Sequence, residues 1–221
     1  MMFSPLWRHA CAALLCALML TFTSPAAAEF PAFVHVVREG ETLASIAQRY
    51  YGDPRRESVL VAENGLEAQG GVSIVVGLRL LVPAVAYHRV LPGETWASIA
   101  ERYFGSAARA FAIQEANESV EGAQPAEGAE LLIPYPLRHV ADQRATVQRV
   151  AQSYGESADA VRTIRRFNDL RSTRLTRGQV ILVPVRDLLM SEEGLRVVQA
   201  AMPTAAPVRS AHAPSGSRST T

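Results

Sequence analysis

Residues 40–50 read GETLASIAQRY, and residues 93–103 read GETWASIAERY. A fainter third copy, RATVQRVAQSY, occupies residues 144–154. The copies are offset by 53 and 51 residues and differ outside a few landmarks, so the chain carries a repeated module and not a low-complexity tract. In the first copy Thr42 stands at a helix N-cap, its hydroxyl placed to accept from the free amides of the first turn. Leu43, Ile46, Ala47 and Tyr50 follow at the i, i+3, i+4, i+7 spacing of a one-sided helical stripe, with Ser45, Gln48 and Arg49 opposite.

Working outward, His35, Val36 and Val37 read as a short strand that enters a turn at residues 39–41. Gly52 ends the first helix, and Asp53-Pro54 starts a second that runs to about Glu63, with Val59 and Leu60 facing inward and Asn64-Gly65 stopping it. Residues 77–83, GLRLLVP, supply a second strand closed by Pro83. The same order recurs over residues 88–134, where Thr95 is the cap, Trp96, Ile99, Ala100 and Tyr103 form the stripe, and Ile113, Asn117, Gly128 and Pro134 follow. It recurs again over residues 139–184 with Thr146, then Val147, Val150, Ala151 and Tyr154, then Ile164, Asn168, Gly178 and Pro184. The expected fold class is α+β: three tandem βααβ modules, each a two-stranded antiparallel sheet with two helices on one face. Two strands alone are marginal, so each sheet needs its helix stripe as a core. The joins, residues 84–87 and 135–138, are short enough to restrict how neighbouring modules are oriented.

The net charge of +1 argues against a dedicated nucleic-acid binder. The use of arginine without lysine is read as coding bias with no functional weight. Residues 1–28 read as an export signal: Arg8, an apolar run over residues 10–22, then Ala26-Ala27-Ala28. A run of that length falls short of the roughly 20 residues that span a bilayer, so no stable membrane span is expected after cleavage. The expected location is secreted or periplasmic, associated with the cell wall. Cys11 and Cys16 both lie in this segment, leaving the mature chain without disulfide or thiolate metal site, and no cofactor is expected. Within residues 185–221, residues 186–199 are expected to form a short amphipathic helix using Leu188, Leu189, Leu195 and Val198; from Pro203 the composition is that of a disordered tail.

The ordered set of His-x-Val, Gly-Glu-Thr-(Leu/Trp)-x-x-Ile-Ala, an Asn ending the second helix and Gly-x-x-Leu-x-(Val/Ile)-Pro closely resembles the LysM (lysin motif) family. The first two modules carry it fully. The resemblance implies a βααβ fold that binds N-acetylglucosamine-containing glycans, peptidoglycan or a chitin-like polymer, in a shallow groove. One implied wall is Gly40, Glu41, Thr42 and Leu43, and again Gly93, Glu94, Thr95 and Trp96. The other is approximately residues 71–76 (Gly71, Val72, Ser73 and Ile74 first among them) and residues 124–127 (Gln124, Pro125 and Ala126 first among them). Trp96 also opens the apolar stripe, so it is read mainly as a core residue with an exposed edge. The third module has Arg144 and Ala145 in place of the Gly and the acid, and Ala141 in place of the Val. This implies a degenerate copy acting as a spacer or basic contact. Charge divides the copies too: five Arg against six acids in the first, three against seven in the second, eight against four in the third. The ordinary reading of the basic copy is a solvated face; the sharper one is a contact with anionic wall components.

Catalysis is not expected. His35, His88 and His139 open separate modules and would have to converge on one metal. Glu41 and Glu94 lie on separate turns, not as a glycosidase pair across a cleft. Ser45 and Ser98 lack a nucleophile-elbow context, and the residues after Pro184 are too few and too polar for a catalytic domain. The function read from the sequence is non-catalytic, multivalent glycan binding. The alternative is a cell-envelope scaffold that keeps the fold to dock a partner protein.

Overall fold

The structure, a computed structural model, describes residues 30–66, 74–120, 122–155 and 159–201. The export-signal segment, the tail beyond residue 201, and Gly71, Val72 and Ser73 lie outside these residues.

Three two-stranded antiparallel sheets follow one another along the chain, each enclosing a helix pair in sequence. The first unit comprises β1 (Ala32–Val36), α1 (Leu43–Tyr51), α2 (Glu57–Glu63) and β2 (Arg79–Pro83). The second comprises β3 (Ala86–Arg89), α3 (Trp96–Phe104), α4 (Ala110–Ala116) and β4 (Glu130–Ile133). The third comprises β5 (Tyr135–Val140), α5 (Val147–Ser153), α6 (Ala160–Phe167) and β6 (Val180–Val185). A last helix, α7 (Glu192–Ala201), ends the described chain.

Local chemistry sets the helix ends. Thr42 and Ser45 form a reciprocal capping box, and Thr95 and Ser98 repeat it. Both first helices stop at a left-handed glycine, Gly52 and Gly105. After Asp53 the chain makes a 3-10 turn at Pro54–Arg56 before α2 begins, so the expected second helix starts with a tighter turn. Leu43, Ile46, Ala47 and Tyr50 are all buried, as the stripe requires. Tyr103 is only half-buried in the second unit, where Phe104 turns inward instead.

The joins are shorter than the sequence suggests. Strand β3 begins at Ala86 and β5 at Tyr135, where Tyr135 pairs with Val185, leaving Ala84-Val85 and Pro134 between sheets. The expected helix over residues 186–199 begins only at Glu192, because Ser191 caps it: its Oγ accepts from Gly194 N–H and its carbonyl from Leu195 N–H. Leu188 is fully buried from the extended stretch before that cap, whereas Leu189 and Leu195 are exposed.

The three cores are not self-contained. Val59 of α2 is fully buried among third-unit residues such as Leu137, Val150 and Val183. Phe167 of α6 enters the second core, edge-on to Phe104 at 5.1 Å. Val198 of α7 joins the first core with Leu43, Ile46 and Tyr50. Polar contacts follow the same seams: Arg56 donates to Tyr154 O at 2.6 Å, Tyr135 OH to Glu63 at 2.8 Å, and Arg109 Nε to Phe167 O at 3.0 Å. The third unit therefore contacts both of the others.

Candidate functional site

The turns that precede α1 and α3 are the exposed features shared by the first two units. In each, the N–H of the acid closes a turn onto the carbonyl three residues back, Glu41 to Arg38 at 3.2 Å and Glu94 to Leu91 at 3.1 Å. The third position of that turn must have positive φ, which Gly40 (+78°) and Gly93 (+79°) supply with open space around them. Gly40, Thr42, Gly93 and Thr95 are exposed, while Leu43 and Trp96 are buried. The expected first wall thus divides into an exposed backbone edge and two core anchors.

The two acids that the resemblance puts on this wall direct their carboxylates toward residues of their own unit. Glu41 turns inward: one oxygen accepts from Arg38 N–H at 2.8 Å and lies 2.7 Å from His35 Nε2, and the other pairs with Arg49. Glu94 repeats this with Leu91 N–H at 2.8 Å and His88 Nε2 at 2.6 Å, with Arg102 at 3.7 Å. Burial pushes the Glu41 carboxyl up, but the Arg38 N–H, the Arg49 guanidinium and His35 outweigh it and take it from 4.5 down to about 2. For Glu94 the same opposition of burial against the Leu91 N–H and His88 also ends lowered. The other ring nitrogen of each histidine faces a tyrosine hydroxyl, Tyr50 at 3.2 Å and Tyr103 at 3.4 Å. His–Glu locks of this kind hold the glycine turn in one shape. They were legible only as two spacings repeated in the first two modules, His to Glu at i+6 and Glu to Arg at i+8, which periodicity alone does not flag.

On the second wall of the first unit, Ile74 packs against the core, and Val75 and Val76 stand exposed at 65% and 67%. Among the described residues, these two valines offer apolar surface there. In the second unit Gln124 and Ala126 are exposed and Pro125 is buried. Trp96 joins the two walls: its indole N–H donates to Ala123 O at 2.7 Å. Trp96 is buried, at 7% exposure, so it anchors the second wall from beneath.

The third unit builds this region by other means. Left-handed non-glycine residues among those described are Glu118 and Asp169, so Arg144 does not reproduce the Gly40 turn. Instead Asp142 Oδ1 accepts from Arg144 N–H at 2.8 Å, an Asx turn. Ala145, where the acid would stand, is buried. His139 still meets Tyr154 OH at 2.7 Å.

The serines and histidines weighed for catalysis have structural partners. Ser45 and Ser98 hydroxyls donate to Thr42 O and Thr95 O at 2.9 and 3.0 Å within the capping boxes.

With this geometry in view, residues 35–83 match the LysM domain family, the same bounds as the first repeat. Over 150 residues, 67% of this chain, the sequence is 27% identical to Esterase Rv1288 and Esterase MT1326 of Mycobacterium tuberculosis. The chain spans only about a third of the length of those relatives, 32%. Among solved structures, the ectodomain of a receptor like kinase is 17% identical at a TM-score of 0.24, covering 73% of this chain and 94% of that one. The LYK3 ectodomain is 13% identical, also at 0.24, covering 73% and 92%. Overlays this loose do not bear on how the units are arranged.

Proposed function

We propose that this protein is a non-catalytic binder of N-acetylglucosamine-containing glycans, most directly peptidoglycan, built from three tandem LysM-like units and working outside the cytoplasm at the cell wall. The observation that carries the reading is the LysM match over residues 35–83 together with the exposed Gly40 turn and the exposed Val75 and Val76. An acetamido sugar presents an amide N–H, an amide C=O and a methyl group. Backbone groups around a glycine turn hydrogen-bond the amide, and a small apolar surface takes the methyl and the sugar face. The second unit has the same turn chemistry at Gly93 and Thr95.

Each shallow site binds weakly alone. Two sites on one chain raise the effective concentration of the second contact, so retention on a polymer exceeds that on a short oligosaccharide. No helix among the described residues is long and apolar enough to cross a membrane. The non-catalytic reading is supported by the commitment of Ser45, Ser98, His35 and His88 to structural hydrogen bonds.

Co-sedimentation of the mature protein with purified sacculi at low salt tests the reading. We expect the protein in the pellet and its release by soluble N-acetylglucosamine oligomers. Protein that stays in the supernatant rejects the proposal. Salt-sensitive capture by an envelope protein, without glycan competition, would favour the scaffold alternative.

A further inference from the structure

In the third unit the region that corresponds to the glycan groove is closed by backbone and lined with arginine. Val147 N–H donates to Thr173 O at 2.8 Å and Leu175 N–H to Ala145 O at 3.0 Å, so Thr146 and Arg174 form an antiparallel bridge across the two walls. With those bonds on either side, Thr146 and Arg174 are a non-hydrogen-bonded pair, the type whose side chains stand closest together. The bridge occupies the Val147 and Leu175 amides and the Ala145 and Thr173 carbonyls. What it leaves is a pocket of about 310 Å³ lined by Gln143, Arg144, Ala145, Thr146, Arg174 and Leu175.

This region carries arginine where its counterparts carry a glycine and an inward-turned acid. Where the first two units have Glu41 and Glu94, the third has Ala145, and where they have Gly40 and Gly93 it has Arg144. Arg149 adds a third guanidinium, its NH1 3.5 Å from Arg144 O. Asp142 is the acid of the turn, and its Oδ1 is engaged by Arg144 N–H. Among the described residues, neither Arg144 nor Arg174 forms an ion pair.

We propose that this pocket binds a carboxylate, held by the Arg144 and Arg174 guanidiniums, where the first two units take a neutral acetamido sugar. Resting on the peptidoglycan reading above, the carboxylate is that of the peptide attached to the glycan. A planar guanidinium meets a carboxylate through two parallel N–H donors, which makes this donor set better suited to that group than to a sugar hydroxyl. The third unit is then a second specificity, for the charged peptide of the polymer, and not a worn copy of the first.

The test is residue-resolved NMR on the full mature chain, reading backbone amides and arginine Nε–H signals. The probes are an N-acetylglucosamine tetramer, N-acetylmuramoyl dipeptide, its methyl ester and inorganic phosphate. The free-acid dipeptide is expected to shift Arg144, Thr146 and Arg174, and the methyl ester to leave them in place. In Arg144→Gln/Arg174→Gln the apparent Kd for the free acid should rise at least about tenfold, with shifts at residues 40–43 and 93–96 from the tetramer unchanged. Both arginines are exposed, and unchanged signals elsewhere establish that the variant is folded. Added salt should weaken the contact, since the screening length falls from about 10 Å at 0.1 M to about 3 Å at 1 M. Equal shifts from acid and ester, or wild-type affinity in the double variant, overturn the proposal. Phosphate that outcompetes the dipeptide overturns it in favour of a phosphate site. A tetramer that shifts nothing at residues 40–43 and 93–96 rejects the glycan reading while leaving a carboxylate response at the third unit standing.

Discussion

At the scale of single residues, the decisive finding is that Glu41 and Glu94 serve the turn and not the solvent. Each carboxylate satisfies a backbone N–H and a histidine, and Glu41 an arginine as well. Charge-assisted bonds of this kind are worth about 1.5–3 kcal/mol each when broken singly. Glu41→Gln keeps the shape and removes the charge, so it should destabilise the protein by about that amount at neutral pH. The sign of the pH dependence follows from the lowered carboxyl. The contribution of Glu41 is fully present above about pH 4.5 and is lost as the pH falls toward about 2. The gap in urea midpoint between wild type and Glu41→Gln should therefore narrow over that interval. A gap that stays constant would mean that the side chain acts through shape alone. The sequence already singled out Gly40 and Thr42, because a left-handed turn and an N-cap have strong residue preferences. It did not reveal which way Glu41 points, since an acid in a turn reads equally as a ligand contact or an internal brace.

Among the elements, the landmark asparagines show how far local reading reaches. Asn64, Asn117 and Asn168 were legible as helix stops. Their larger task is to staple the second helix of each unit to its second strand. The Asn117 amide donates to Ile113 O and Leu132 O, both at 2.8 Å, and its oxygen accepts from Leu132 N–H at 2.8 Å. Asn64 and Asn168 repeat the pattern on Leu81 and Leu182. The docking of α7 on α1 was not legible, because it depends on close backbone approach. A Cβ at Gly194 would stand 2.7 Å from Tyr50 O and 3.0 Å from Tyr50 Cα, and these are backbone atoms that cannot rotate away. Gly194→Ala should cost about 1–3 kcal/mol by overpacking and lift α7 from the first unit. Amide exchange is the measurement: Leu195 and Val198 should lose protection while the cores of the second and third units keep theirs.

For the whole molecule, each core is completed by a residue from elsewhere in the chain: Val198 in the first, Phe167 in the second, Val59 in the third. Units of this size bury too small a fraction of their surface to be robust alone, and neither cysteine lies within them to form a cross-link. Sharing cores enlarges the effective domain. The described chain should consequently unfold in one cooperative transition rather than three. Phe167→Ala removes a fully buried ring from the second core and the Arg109 contact over it at 4.6 Å. A loss of about 3–5 kcal/mol is expected. Scanning calorimetry should show one peak for the wild type and a separated, earlier transition for this variant. Three resolved peaks in the wild type would refute the shared-core account.

By itself, the sequence determined the repeat, the helix stripes, the capping residues and the glycine turns, since each of these is decided by residues a few positions apart and leaves a period or a residue preference behind. Only the tertiary structure decided that the third unit packs on both of the others, that the acids face inward, and that Arg144 and Arg174 line one pocket in the last copy. Those outcomes depend on which surfaces meet across tens of residues. A valine bound for its own core and one bound for a neighbour's are chemically the same letter, and nothing local distinguishes Val59 from Leu60.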